Sequence, residues 1–231
     1  TKMKILKLTM AIGAMVANIA FASIVDNGLT GNIHSDSWGT LGGLTGTSAG
    51  AWANNIPAQS STGSGIANLS KISGGHYSAS MGLYSWGGSS VLRVSPNSNL
   101  LSTATNIVFN IQTNSPHDST AFIAVNSDAN TFAPTSTLAT FGEPYESAFG
   151  TLTPTLTTYQ WDLESLGVDL SSGINASYVQ FDAANHLSIT GLQLDQSDTF
   201  SVASTVVPVP AAVWLFGTAI LGLISAKLRK P

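Results

Sequence analysis

The stretch "TNIVFNIQTN", residues 105–114, decides how the rest of the chain is read. Ile107, Phe109 and Ile111 recur at every second position, which places them on one face of an extended strand. The same period returns in "HYSASMGLYSW" (76–86), through Tyr77, Ala79, Met81 and Leu83, and in "TTYQWDL" (157–163), through Tyr159, Trp161 and Leu163. "STAFIAVNS" (119–127) sets Phe122 and Ala124 against Ile123 and Val125. "ASYVQFDA" (176–183), "HLSITGLQLDQ" (186–196) and "DTFSVAS" (198–204) carry the rhythm to its end. Short runs of β-branched and aromatic residues, separated by Gly, Asn, Ser and Pro, predict an all-β body, a β-sandwich of jelly-roll-like type. No apolar stripe of helical period is found between the two ends of the chain. Residues 40–65 and 129–150 are rich in turn formers and longer than ordinary connections, so they are expected as edge loops or short extra strands.

Composition narrows the setting. The 231 residues suffice for one domain plus targeting segments. Only 9% are charged, far below the quarter or so usual in soluble domains. With so much Ser, Thr, Asn and Gly, the chain suits a secreted or surface β-protein better than a cytosolic helical enzyme. Between the basic ends, only Lys71 and Arg93 face twelve carboxylates, a net charge of −10. Such a surface repels phosphates, which excludes nucleic acid as a partner. There is no cysteine, hence no disulfide, thiolate metal site or cysteine nucleophile.

The two ends carry different signals. Lys2, Lys4 and Lys7 precede an apolar stretch over residues 8–19, and Ala20-Phe21-Ala22 supplies a small-x-small site. This order reads as a secretory signal peptide over 1–22, cut by signal peptidase before Ser23. At the other end, residues 211–226 contain no charge and Lys227, Arg229 and Lys230 follow at once. As a helix this stretch would span about 24 Å, enough with the residues before it for a single transmembrane segment. The basic tip keeps to the cytoplasmic side, which leaves the body, residues 23–205, outside the inner membrane. Pro208 and Pro210 hold the segment just outside the membrane extended, either as a strip open to a membrane protease or as the stiff linker of a plain single-pass anchor.

Val207-Pro208-Val209-Pro210-Ala211, followed by Ala212-Val213-Trp214-Leu215-Phe216-Gly217, a short apolar helix and a basic tip, resembles the PEP-CTERM class of sorting signals. It is closest to the VPLPA-type variant, with Val209 in place of Leu. The resemblance implies that the tail, residues 206–231, is a temporary anchor recognised by an exosortase-like membrane protease. It further implies a Gram-negative bacterium that makes extracellular polysaccharide. The tail assigns no function to the body. Residues 159–204 are similar to the last strands of jelly-roll bodies that precede such tails, in architecture like galactose-binding-like and carbohydrate-binding modules. That is a likeness of fold, which does not fix function.

Within the body the chemical motifs are sparse. Gly46-Thr47-Ser48-Ala49-Gly50 matches the G-x-S-x-G nucleophile elbow and locally looks like the patatin version. An elbow needs a buried strand before the serine and a helix after it. Here "WGTLGGL" precedes the serine and Pro57 interrupts the segment after it, so Ser48 is not read as a nucleophile. His34, His76, His117 and His186 lie in no metal-ligand spacing and read as surface or turn residues. The carboxylate groups Glu143 and Glu146, Asp162 and Glu164, and Asp195 and Asp198 read as solvation of outer faces. Asp162 and Glu164 would share a face if their segment were a strand. Such pairs are the raw material of glycosidases, and acidic loops also leave room for a structural Ca²⁺. No other cofactor or metal is indicated. Trp38, Trp52 and Trp86 sit among Gly and Ser; ordinary core or loop packing is the default reading for them, and stacking on sugar rings is the alternative.

The leading expectation is therefore an exported, non-enzymatic cell-surface or matrix protein, sorted by an exosortase-like system and associated with exopolysaccharide or biofilm. A carbohydrate-binding module in the strict sense comes second. A secreted hydrolase using Ser48 or an acidic pair comes third.

Overall fold

The computed structural model describes residues 25–44, 52, 55–80, 82–148 and 150–204. The signal-peptide site at Ala20, Ala22 and Ser23, the Ser48 motif, the sorting motif from Val207 to Ala211 and the basic tip lie outside the described residues. What is described is all-β and antiparallel. One sheet runs β11 (Ser136–Phe141), β14 (Thr155–Asp162), β8 (Asn106–Thr113), β16 (Ser188–Thr199), β1 (Thr30–Trp38), β3 (Ser60–Thr62). The small strands β6 (Gly82–Tyr84) and β5 (Tyr77–Ala79) extend it beside the start of β16. The second sheet runs β10 (Thr131–Phe132), β9 (Ala121–Val125), β15 (Ser177–Ala183), β7 (Ser90–Ser95), β4 (Asn68–Gly74), β2 (Ile56–Pro57). β12 (Tyr145–Ser147) and β13 (Gly150–Leu152) form a separate hairpin.

The two sheets share one core. Phe109 of β8 meets Phe181 of β15 with ring centroids 5.2 Å apart. Leu92, Val94, Leu69, Ile123 and Val179 from the second sheet join Ile107, Ile111, Trp161 and Leu194 from the first. Two tryptophans tie the sheets at their sides. Trp38 donates its indole N–H to the Ile56 carbonyl of β2 (3.1 Å), and Trp161 donates to Phe132 of β10 (3.0 Å). A buried indole needs such a partner, and an edge strand of the opposite sheet supplies it.

β8 departs from simple alternation. Ile107, Phe109 and Ile111 do share the core face, yet Val108 and Asn110 are buried as well. Register explains this: Asn110 stands between Thr158 and Gln193, and Val108 between Gln160 and Asp195. These residues form a polar outer face, and the two ends of the described chain cover it. Gln193 exchanges two hydrogen bonds with the backbone of Val25, and Asn27 donates to Asp195. Asn110 donates to the Asn27 side chain (3.3 Å) and accepts from Thr158 (2.6 Å). Gln160 donates to the Ser201 carbonyl (2.6 Å) and accepts from the Ala203 N–H (3.0 Å). Buried amides and carboxyls are thus matched by backbone that would otherwise have no sheet partner.

Three readings change. Residues 76–86 are not one strand: the chain reverses between Ala79 and Gly82, which pair across the turn. Gly82 has φ +111° and its α-carbon faces β16 so closely that a β-carbon would stand 2.1 Å from the Ile189 carbonyl oxygen. Only glycine permits that approach. Asp195 does not solvate an outer face but is buried within one. Asp162 ends β14 and Glu164 falls in the following turn, so the two do not share a strand face; Asp162 instead caps that turn, accepting from Ser165. The long turn-rich pieces do hold short strands: β2 and β3 in the first, β10, β11 and β12 in the second.

Candidate functional site

Three connections that cross between the sheets meet at one end of the molecule: residues 85–89, 114–120 and 184–187. Buried polar groups pin them. The imidazole of His76 is wholly buried, contrary to its reading as a surface or turn residue. Its Nε2 donates to the Leu187 carbonyl (3.1 Å) and its Nδ1 lies 2.8 Å from the Ser90 hydroxyl. Burial holds its pKa down at about 4, against the opposing pull of the Leu187 carbonyl, and the Lys71 charge adds to the lowering. The ring is therefore neutral near pH 7, with its proton on Nε2, because the Leu187 carbonyl can only accept. Tyr159 donates its hydroxyl to the Ser119 carbonyl (2.8 Å), and burial raises that phenol to about 12. His186 takes the left-handed conformation (φ 61°) and donates its backbone N–H to Ser85 (3.1 Å).

These anchors hold an aromatic group at the surface. Trp86 is 59% exposed. Its ring meets Tyr84 edge-on at 5.0 Å and His186 at 6.0 Å. The Tyr84 hydroxyl lies 3.1 Å from His186 Nδ1, which fixes that imidazole beside the indole. His186 also lines an open cleft of about 350 Å³, together with His117, Asp118, Asp182 and Asn185. Asp182 accepts from the Thr120 hydroxyl (2.8 Å), and Asn185 accepts from the Gly88 N–H (3.0 Å). His117 accepts the Ser119 N–H on Nδ1 (3.0 Å) and is held below its ordinary pKa by burial, with Asp118 pulling the other way.

The three candidate tryptophans separate here. Trp38 is fully buried, so it offers no ring to a ligand and the stacking role fails for it. Trp52 is half-buried against the core, donates to the His76 carbonyl (3.2 Å) and lies 5.2 Å from the Lys71 ammonium. Trp86 alone of the three lies on the open surface. His34 points to the Asn99 carbonyl (2.9 Å), away from the cleft. Glu143 and Glu146 are exposed in the segment that follows β11, and Asp198 accepts from Asn32. Among the described residues no group of three or more His, Asp or Glu is arranged to hold a metal ion.

Tyr84, Asp182 and Asn185 belong to no sequence motif, and His117, Asp118 and His186 read as turns. Turns they are, but the sheet crossings bring them together. The signal that the sequence does hold is three turn-rich breaks, each beside a strand: "SWGGSS", "NSPHDS" and "AANH".

The arrangement offers one exposed indole, two carboxylates, an amide and two imidazoles. Neither basic side chain of the body reaches it: Arg93 stacks on Tyr178 (3.7 Å) and Lys71 lies under Trp52. An apolar ring face with hydrogen-bonding groups beside it suits a sugar, whose ring has one apolar face and a rim of hydroxyls. No family model, curated protein or solved structure matches the chain.

Proposed function

We propose that this chain is an exported cell-surface or extracellular-matrix protein that holds exopolysaccharide at the Trp86 cleft, without catalysing a reaction. Signal peptidase removes residues 1–22, and an exosortase-like protease acts at Val207 to Ala211 after transient anchoring in the inner membrane. The observation that carries the binding role is Trp86, exposed and braced by Tyr84 and by His186, which itself lines the cleft with Asp118, Asp182 and Asn185. An exposed indole costs hydration free energy, and three anchored loops present it. This favours a carbohydrate-binding mode within the matrix-protein reading. The jelly-roll assignment is supported by topology: β7, β8 and β9, and again β14, β15 and β16, alternate between sheets, while β1 pairs with the last strand.

The test is recovery of the protein from its native host. The proposal expects it in the exopolysaccharide fraction, starting at Ser23 and ending within residues 207–211. Recovery only from washed membranes, with residues 212–230 intact, would overturn the sorting half. Absence from the polysaccharide fraction would overturn the binding half.

A further inference from the structure

The cleft does not end at His117. A second hollow of about 390 Å³ lies on the other side of the same loop, and the two share Pro116, His117 and Asp118. Its walls are Thr155 and Thr157 of β14 and Ala139 and Phe141 of β11. Phe141 is 61% exposed, as open as Trp86. Resting on the glycan reading, we infer that the two hollows form one trough that takes an internal stretch of an uncharged polysaccharide, several sugar rings long, rather than a chain end.

Three observations support this. Each hollow has an exposed aromatic ring beside it: Trp86 packs against His186 of the first and Phe141 lines the second, so aromatic contacts are offered in both. A site for a terminal sugar would be closed at one end, whereas both hollows are open to solvent. Next, His117 sits where they join. The Ser119 N–H occupies its Nδ1, so the neutral ring carries its proton on Nε2. That Nε2 is buried and has no hydrogen-bond partner among the described residues. A buried donor left unmade costs about 1–3 kcal/mol, which favours a small rotation of the ring that brings Nε2 to the trough surface, where a hydroxyl of the crossing chain accepts from it. Lastly, among the described residues the trough is lined by carboxylates and hydroxyls with no Lys or Arg. Uronate or sulfate groups would meet like charge at Asp118 and Asp182, whereas neutral hydroxyls would find acceptors.

The experiment uses the full chain in detergent. The host's exopolysaccharide is hydrolysed, separated by anion exchange into neutral and acidic pools, and each pool sized from disaccharide to octasaccharide. Calorimetric titration should show neutral fragments binding about tenfold tighter at six or more rings than at two. Phe141→Ala should remove that gain and leave disaccharide affinity unchanged, while Trp86→Ala weakens every length. The His117 Nε2 proton signal should shift only with the longer fragments. Affinity independent of length, with Phe141→Ala silent and Trp86→Ala harmful, would overturn the trough and leave the Trp86 site standing. Preference for the acidic pool would overturn the uncharged ligand class. No binding of any pool or of the intact polymer would overturn both this inference and the glycan reading.

Discussion

Ser204 donates its backbone N–H to the carbonyl of Asn27 at 3.0 Å, closing a separation of 177 residues. The first and last strips of the described chain therefore lie side by side on the outer face of the first sheet. Beneath them Asp195 is wholly buried, accepting from Asn27 and from Gln193 (2.8 Å). One consequence is mechanical: a tail leaving after Ser204 starts from a docked strip, not from a free end.

The buried carboxyl makes a pH prediction. Burial raises the Asp195 pKa to about 6, while the neighbouring Ser35 side chain and bonds from Gln193 and Asn27 pull it down and the Asp36 charge adds to the rise. A carboxyl whose pKa is higher in the fold than in the unfolded chain stabilises the fold at low pH. That contribution is lost as pH rises from about 4 through about 6. Asp195→Asn keeps an oxygen for Asn27 and Gln193 and turns an amide N–H toward Ser35, which stands opposite in register. The variant is expected to be more stable than the wild type at pH 8 by about 1–3 kcal/mol, and no more stable at pH 4. His76 acts in the opposite sense. Its lowered pKa stabilises the fold above about 6.5 and that contribution is lost as pH falls toward 4. Urea unfolding of both proteins across this range reads the difference.

The strip over Phe200–Ser204 depends on Gln160. Its amide donates to Asn106 (2.9 Å) and Ser201, and its oxygen accepts from Ala203. Gln160→Ala leaves these groups unpaired and is expected to cost about 1–3 kcal/mol. Hydrogen exchange should show the Ala203 amide losing protection, while β9 and β15 keep theirs.

How much of the fold and the site is legible in the sequence depends on which interactions are local. The period of two marks strands because it is a property of consecutive residues, so β8, β9, β14, β15 and β16 can be read directly. It fails at residues 76–86, where a glycine permits a reversal that the alternating apolar residues hide. Whether Trp38 or Trp86 faces solvent is not legible, since both have Gly and Ser as neighbours. Trp38 closes a central strand and meets an edge strand of the other sheet, while Trp86 lies just past a short strand, in a loop. That difference depends on pairing across the whole chain. The same holds for Asp195, which is buried although it lies three residues from the half-buried Asp198 in the same polar run.

The joint between the sheets can be tested at Phe109 and Phe181. Each is fully buried, and each truncated to Ala is expected to cost about 3–5 kcal/mol. Because the rings touch, the double variant should cost less than the two single costs added, by about 0.5–1.5 kcal/mol. Additive losses would mean that the sheets do not meet there.

Gly82→Ala is expected to disturb the site without touching it. The added methyl meets the Ile189 carbonyl and a backbone angle that disfavours any side chain, which together cost more than about 1 kcal/mol. The β5–β6 hairpin should move, carrying Tyr84 and Trp86 with it. Loss of polysaccharide retention in this variant, with one cooperative melting transition kept and lowered by only a few degrees, is the expected readout.

The most direct measurement is a calorimetric titration of the intact protein with its host's purified exopolysaccharide, wild type against Trp86→Ala. Val202→Ala, at another exposed residue on the C-terminal strip, serves as the control. The account predicts binding by the wild type and the control, and a loss of at least about tenfold in Trp86→Ala with no change in thermal stability. Equal affinity in all three proteins, or none in the wild type, would contradict it.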